Sequence, residues 1–353
     1  GALAGAFPDV DVLFSIGGDF VDQLITHRGI THSLFFAPLA GPALGWLIWY
    51  RERARRGDPG RKSLWMLVIT LALLSHPLLD LLTPYGTQLL LPFSNARFAI
   101  NAMPIIDPAY TLLLAIGLLM AWLPALRHRA PAAVIAAVTL VVSSAYLGYG
   151  WLQGLRAEAA ARSQLVSAGI EPESLAAFPT ILQVHLRRVV ARTPDTDRVG
   201  FYSTWAPCEI EWMSAPRING DGRALVANFR ATREGSVFEW FAMGWARFGL
   251  SRVENGWQLI LSDLRYGFDN DPLKSIFSVT ADLDPTGMPV STAAAGRVGP
   301  RDPQSVFERL VRDTYAPACR LLTRTRDVIA RPMDDNVPYD SEPGESEADA
   351  PNS

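Results

Sequence analysis

Three of the five histidines in this chain stand close to carboxylates in short motifs. They are Pro8-Asp9-Val10-Asp11, then His27-Arg28-Gly29-Ile30-Thr31-His32-Ser33, then His76-Pro77-Leu78-Leu79-Asp80. His76 and Asp80 are four apart, so on a helix they stack on one face, a spacing suited to binding one ion. Carboxylates mixed with imidazoles favour zinc, manganese or iron over calcium. Such an ion lowers the pKa of a bound water and polarises the bond that water attacks. A carboxylate not committed to the ion, Asp11 or Asp80, is then the candidate general base. Taken singly, each His has an ordinary reading as a hydrogen-bonded side chain and each Asp as a helix cap. Asp107, just before Pro108, has the best claim to be only a cap. Only their convergence argues for a site, so the elements that carry them decide the question.

Four segments, 33–50, 64–82, 105–126 and 131–151, are long and apolar enough to cross a hydrocarbon layer, which takes about 20 helical residues. Trp46, Trp49, Tyr50, Trp65, Trp122 and Trp151 stand at their ends, where aromatic rings meet lipid headgroups. The loop 51–63 holds six basic and two acidic residues. It and the Arg127-His128-Arg129 turn therefore belong in the cytoplasm. Residues 9–32, 83–104 and everything after 151 then fall on the outer side, so all the motifs share one membrane face. The stub 1–7 reads as the end of a further span whose beginning lies outside this sequence. The expected fold is a polytopic α-helical membrane domain over 1–151, an extracytoplasmic α+β domain over 152–330, and a disordered acidic tail over 331–353.

Composition agrees with the membrane reading: 19% of residues are charged, mean hydropathy is +0.13 and there are ten tryptophans. A net charge of −3 argues against a nucleic-acid partner. Membrane lipids are the expected partner. Cys208 and Cys319 are too few for a cysteine-rich zinc module, and form either one disulfide or two buried thiols. In the second domain, 155–166 and 172–191 read as helices, the latter broken at Pro179. The segments 223–233, 237–248 and 257–265 read as strands, with Asn255-Gly256 as the turn between the last two. A helix is expected over 303–330.

The loop after Asp80 supplies the hydroxyls of Thr83 and Tyr85. It also supplies Arg97, which either grips a phosphate or carboxylate in a bidentate fork or anchors at headgroup level. Asp263-Leu264-Arg265-Tyr266-Gly267 places an acid, a base and a phenol at a strand end, either over the membrane site or in a salt bridge of their own. Thr83, Tyr85, Arg97 and Arg265 are the substrate-contact candidates.

At these motifs the sequence resembles the YdjM/YbcI-like group of bacterial inner-membrane proteins described as metal-dependent hydrolases. The likeness rests on PDVD at 8–11, HRGITHS at 27–33, HPLLD at 76–80 followed by TPYGT, and LPFS with Arg97. It covers about residues 1–126, and touches the later domain only through DLRYG. The resemblance implies an inner-membrane enzyme with Asp9, Asp11, His27, His32, His76 and Asp80 as metal ligands, most simply of zinc. It implies no particular substrate.

The leading expectation is hydrolysis at the outer membrane face, on a lipid or lipid-linked phosphoester. The chain lacks HExxH and a rhomboid-type serine and histidine pair. The alternative is a metal-binding, transport or scaffold protein without catalysis. An ion path needs polar groups through the bilayer depth, whereas these cluster at one surface.

Overall fold

In a computed structural model, residues 2–123, 131–291, 294–297, 299 and 302–315 are described. A short helix α1 (Ala2–Gly5) leads into a 3-10 segment, Phe7–Ser15, and then α2 (Phe20–Thr26). A 3-10 turn, Ile30–His32, precedes α3 (Phe36–Arg56), which is followed by α4 (Lys62–Asp80), α5 (Pro108–Trp122) and α6 (Ala132–Ser167). By length and composition α4 and α6 can each cross a membrane. A third span exists if Phe20–His32 and Phe36–Arg56, bent by 64°, are taken together, and α5 is a shorter apolar helix. The four expected spans therefore correspond to helices, two or three of which have the length and composition to cross.

Helices α3 and α4 pack antiparallel and very closely. A Cβ at Gly41 would lie 2.6 Å from the Thr70 Cα, and one at Gly45 2.6 Å from the Met66 Cα. Small residues allow this approach where apolar surroundings give helices little other reason to associate. The last turn of α3 carries Arg53, Arg55 and Arg56, complementing the helix dipole. The motif residues gather at the opposite end of the pair.

Beyond the helices lie two four-stranded antiparallel meanders. The first contains β1 (Ser174–Pro179), β2 (Leu186–Arg192), β3 (Thr196–Ser203) and β4 (Met213–Pro216). The second contains β5 (Ala246–Val253), β6 (Gly256–Asp263), β7 (Phe277–Leu283) and β8 (Ala294–Arg297). Ala157 and Ala161 of α6 pack on the first sheet. Helices α7 (Asp221–Arg230) and α8 (Arg233–Phe241) supply Val226, Phe229, Phe238 and Phe241 to the core of the second. Leu24 and Tyr85 join that same core, so the helical region and the second sheet are packed together. Helix α9 (Pro303–Tyr315) follows β8.

Several local expectations are corrected. The expected helix over 155–166 is the continuation of α6, which at 36 residues is about 54 Å long. The segment 172–191 forms β1 and β2 instead of a helix. Arg187 and Arg188 are buried in β2 because distant carbonyls, including those of Asn101, Ala102 and Leu264, accept their N–H groups. Side chains that suggest a solvated helix face are thus interior. The segment 223–233 is helix α7, and 237–248 splits between α8 and β5. Val226 and Phe229 sit three apart on one buried face, and the Thr232 hydroxyl caps α8 by accepting from the Gly235 N–H. The β5–β6 hairpin turns at Glu254-Asn255, one residue before the expected pair, with Val253 opposite Gly256. Cys208 is disulfide-bonded. The expected helix beyond Tyr315, Cys319 and the tail 331–353 lie outside the described residues.

Candidate metal centre

The residues that converge come from three places: the 3-10 segment with Asp9 and Asp11, the loop with His27 and His32, and the last turn of α4 with His76 and Asp80. The loop backbone is shaped around Asp11. Arg28 takes φ 60, a left-handed conformation that turns consecutive N–H groups toward one anion. The N–H groups of Arg28 and Gly29 reach Asp11 Oδ2 at 2.8 and 3.4 Å, and the Thr31 hydroxyl donates to it at 3.2 Å. His32 Nδ1 lies 3.0 Å from the same oxygen, and His27 Nδ1 lies 3.1 Å from Oδ1.

With Asp11 accepting from its Nδ1, His32 presents Nε2 to the opposite side. There it lies 3.5 Å from Asp9 Oδ1 and 3.2 Å from Asp80 Oδ2. His76 Nε2 completes a ring, 3.2 Å from the same Asp9 oxygen and 3.5 Å from the same Asp80 oxygen. Its Nδ1 donates to the Gly5 carbonyl at 2.7 Å, which fixes the tautomer that leaves Nε2 free. Ligands about 2.0–2.2 Å from a common tetrahedral metal stand about 3.3–3.6 Å apart, close to these four separations.

A second observation fits the same group. His32 Nε2 and Asp80 Oδ2 are buried without a hydrogen-bond partner, although only 3.2 Å separates them. Three carboxylates and the Arg28 guanidinium give −2 when the imidazoles are neutral, which a divalent cation offsets. Without one, protons take its place. Burial opposes charge on His32, but Asp11, Asp80 and Asp9 outweigh it and push its pKa up to about 10. The imidazoles of His32 and His76 beside it hold the Asp9 carboxyl well below its usual range. Burial works against ionisation of Asp11, yet His27 and His32 keep its pKa low as well.

All six expected ligands thus meet, though unequally. Asp9, His32 and His76 form one group able to hold an ion, and Asp9, Asp11 and His27 another. In the second, Asp11 already accepts from five donors, His27 Nδ1 among them. This corrects the expectation that Asp11 serves as general base: it is buried and its oxygens are engaged. Asp9, 51% exposed, is the member that reaches solvent.

Arg28 was not among the sequence candidates, yet it holds Asp80 in place. Its Nη2 lies 3.2 Å from Asp80 Oδ1 and its Nη1 donates to the Thr83 hydroxyl at 2.6 Å, leaving Asp80 Oδ2 for the centre. Its position inside HRGITHS, between two candidate ligands, was the available signal. Outer partners of this kind typically contribute 10–100-fold to metal affinity. Arg28→Lys, which cannot reproduce the planar fork, is expected to weaken metal binding by about that factor. Competition against a chromophoric chelator measures it, and unchanged affinity would remove Arg28 from this role.

The expected substrate contacts lie elsewhere. Thr83 is buried and donates to the Asp80 carbonyl. Tyr85 is buried in the core against Phe241 and Phe277, its ring 5.5 Å from that of His27. Arg97 donates to the Leu24 and Gly86 carbonyls and lies over the rings of Tyr85, Trp240 and Phe241. It joins the loop to the sheet domain and offers no bidentate fork to a ligand. Arg265 pairs with Asp263 and donates to the Pro84 and Phe241 carbonyls, a structural clamp. Asp107 caps α5 by accepting from the Tyr110 N–H and also accepts from the Tyr146 hydroxyl.

Residues 1–157 match the family described as YdjM inner membrane protein. Over 103 residues the chain is 38% identical to "Inner membrane protein YbcI" of Escherichia coli (strain K12), covering 28% of this chain and 54% of that protein. The chain therefore spans about half the length of this curated relative. No solved structure matches it.

Proposed function

We propose that this chain, whose residues 1–157 form a YdjM/YbcI-like inner membrane region, is a metal-dependent hydrolase working at the outer membrane face. The observation that carries the reading is the ring of Asp9, His32, His76 and Asp80 atoms at 3.2–3.5 Å, two of them buried without hydrogen bonds. One divalent transition metal, zinc by the chemistry of the donors, would supply an acidified water and a polarised ester bond. Asp11 and His27 orient His32, the Gly5 carbonyl orients His76, and Arg28 orients Asp80. Asp9, the most exposed of the four, gives one carboxylate oxygen to the ring and keeps the other to take the proton of the attacking water. In phosphoester cleavage the water oxygen bonds to phosphorus, the P–O ester bond breaks, and the departing alkoxide gains a proton from solvent.

The membrane placement is part of the proposal. The 19 residues of α4 measure about 28 Å, close to the roughly 30 Å of a hydrocarbon layer. With the basic loop 51–63 in the cytoplasm, Asp80 lies at the outer edge. The same level includes Ala102 and Gly150, whose carbonyls both accept from Arg187. On this reading α3, α4, α5 and α6 are four spans and the sheets lie outside the cytoplasm. A disulfide at Cys208 suits that oxidising side.

Purified protein is expected to carry transition metal in about stoichiometric amount, and His76→Ala with Asp80→Ala to remove it while the chain still inserts. Elemental analysis decides this, and unchanged metal content rejects the ligand set. A dual alkaline phosphatase and fluorescent-protein reporter fused near residue 200 is expected to read extracytoplasmic. A cytoplasmic reading breaks the shared-face premise.

A further inference from the structure

The segment that carries Asp9 and Asp11 also presents large apolar side chains that are mostly uncovered by the described residues. Val12, Leu13, Phe14 and Ile16 are 49, 58, 65 and 74% exposed, whereas Pro8, Asp11 and Ser15 of the same segment are buried. No charged residue occurs over 12–18. In water, four neighbouring side chains of this kind make a patch that calls for a partner.

Depth identifies the partner. Asp9 meets His76 Nε2 at 3.2 Å, and His76 lies about 6 Å inward of Asp80 along α4. The segment is therefore level with the last turn of a helix as long as the hydrocarbon layer is thick. Its apolar face continues onto α3, where Phe7 stacks on Phe36 with ring centroids 6.3 Å apart and Leu39 is 77% exposed. Asp9 is the most exposed of the four ring members and stands beside this face.

We propose that the 12–16 limb is inserted among the acyl chains of the outer leaflet and that the metal centre opens sideways into lipid. Its substrate is then a membrane-anchored amphiphile presenting an anionic ester head from within the bilayer, in preference to an ester arriving from water. Insertion rests on the exposure and on the proposed membrane placement, whereas the substrate class rests in addition on the proposed hydrolase reading. An amphiphile held this way keeps its chains in lipid while its head reaches Asp9, so little desolvation cost accompanies binding.

Full-length protein in phospholipid vesicles, bearing Phe14→Cys or Ile16→Cys labelled with bimane, tests the insertion. Leu118→Cys on α5 serves as the lipid reference and Glu254→Cys in the β5–β6 turn as the aqueous one. Brominated acyl chains are expected to quench positions 14 and 16 to within about twofold of 118, with iodide at least about fivefold less effective than at 254. Iodide quenching equal to that at 254 overturns the proposal in favour of an aqueous lip. Protection from both quenchers overturns it in favour of a second copy covering the patch. The zinc-loaded protein is then offered a long-chain phosphatidyl ester in vesicles and bis(p-nitrophenyl) phosphate in water. Preference for the soluble ester overturns the amphiphile. Turnover of neither removes the hydrolase reading and the substrate class with it, while the quenching result still decides insertion.

Discussion

His32→Ala is expected to abolish high-affinity metal binding, lowering affinity by more than about 100-fold, and with it any metal-dependent hydrolysis. No other residue touches as much of the centre. Its Nε2 faces both Asp9 and Asp80, and its Nδ1 is tied to Asp11. Alanine would also remove the imidazole that lies against all three carboxylates, leaving Arg28, His27 and His76 beside them. The proton competition has a definite sign. Because the pKa of His32 rises to about 10 in the metal-free protein, metal must displace a proton at neutral pH. Wild-type affinity should therefore fall about tenfold per pH unit as pH drops below about 10, more steeply where further ligands protonate. Stability of the metal-free chain carries the complementary sign: the His32 contribution is present below pH 6.5 and fades as pH rises toward about 10. Equilibrium dialysis across a pH series measures the first. Near-normal metal affinity in His32→Ala would show that the ring of four is not the binding site.

Arg265→Ala is expected to destabilise the sheet domain by about 3–5 kcal/mol, the usual cost of leaving one partner of a buried ion pair uncompensated. Both side chains are fully buried, with Nη2 2.6 Å from Asp263 Oδ2. The guanidinium also donates to the Pro84 and Phe241 carbonyls, so its loss loosens the junction between the loop after α4 and the second sheet. Chemical denaturation of the protein in micelles, followed through tryptophan fluorescence, gives the size of the effect. Replacing both partners by apolar residues, Asp263→Leu with Arg265→Met, is expected to recover much of it. If the single and double replacements were equally damaging, lost packing and not the orphaned charge would be the cause.

The sequence was most informative where chemistry depends on short spacing. His76 and Asp80 share a face because a helix repeats every 3.6 residues, and the apolar runs around them could only be long buried or lipid-facing helices. It was least informative in the sheet domain. A strand such as β2, holding two buried arginines, has no apolar alternation to read. All but one of the carbonyls that accept from these arginines lie 37–86 residues away, invisible to any local window. Arg97 was misread for the same reason, since a cation looks like a ligand contact until its carbonyl and ring partners are seen, whereas for Arg265 the alternative reading, a salt bridge with Asp263, is the one that holds.

What the amino-acid order determined by itself was the inventory: which imidazoles and carboxylates are available, and that the spans bring them to one end of the helices. Only the tertiary structure decided their roles. Asp9, Asp11 and Asp80 are the same functional group, yet one is half exposed, one sits in a nest of donors, and one is half held by Arg28. A role depends on where each lone pair points and on what already occupies it. Those directions are set by the left-handed backbone at Arg28, the 3-10 segment and the end of α4 meeting in space, and no spacing rule encodes that meeting.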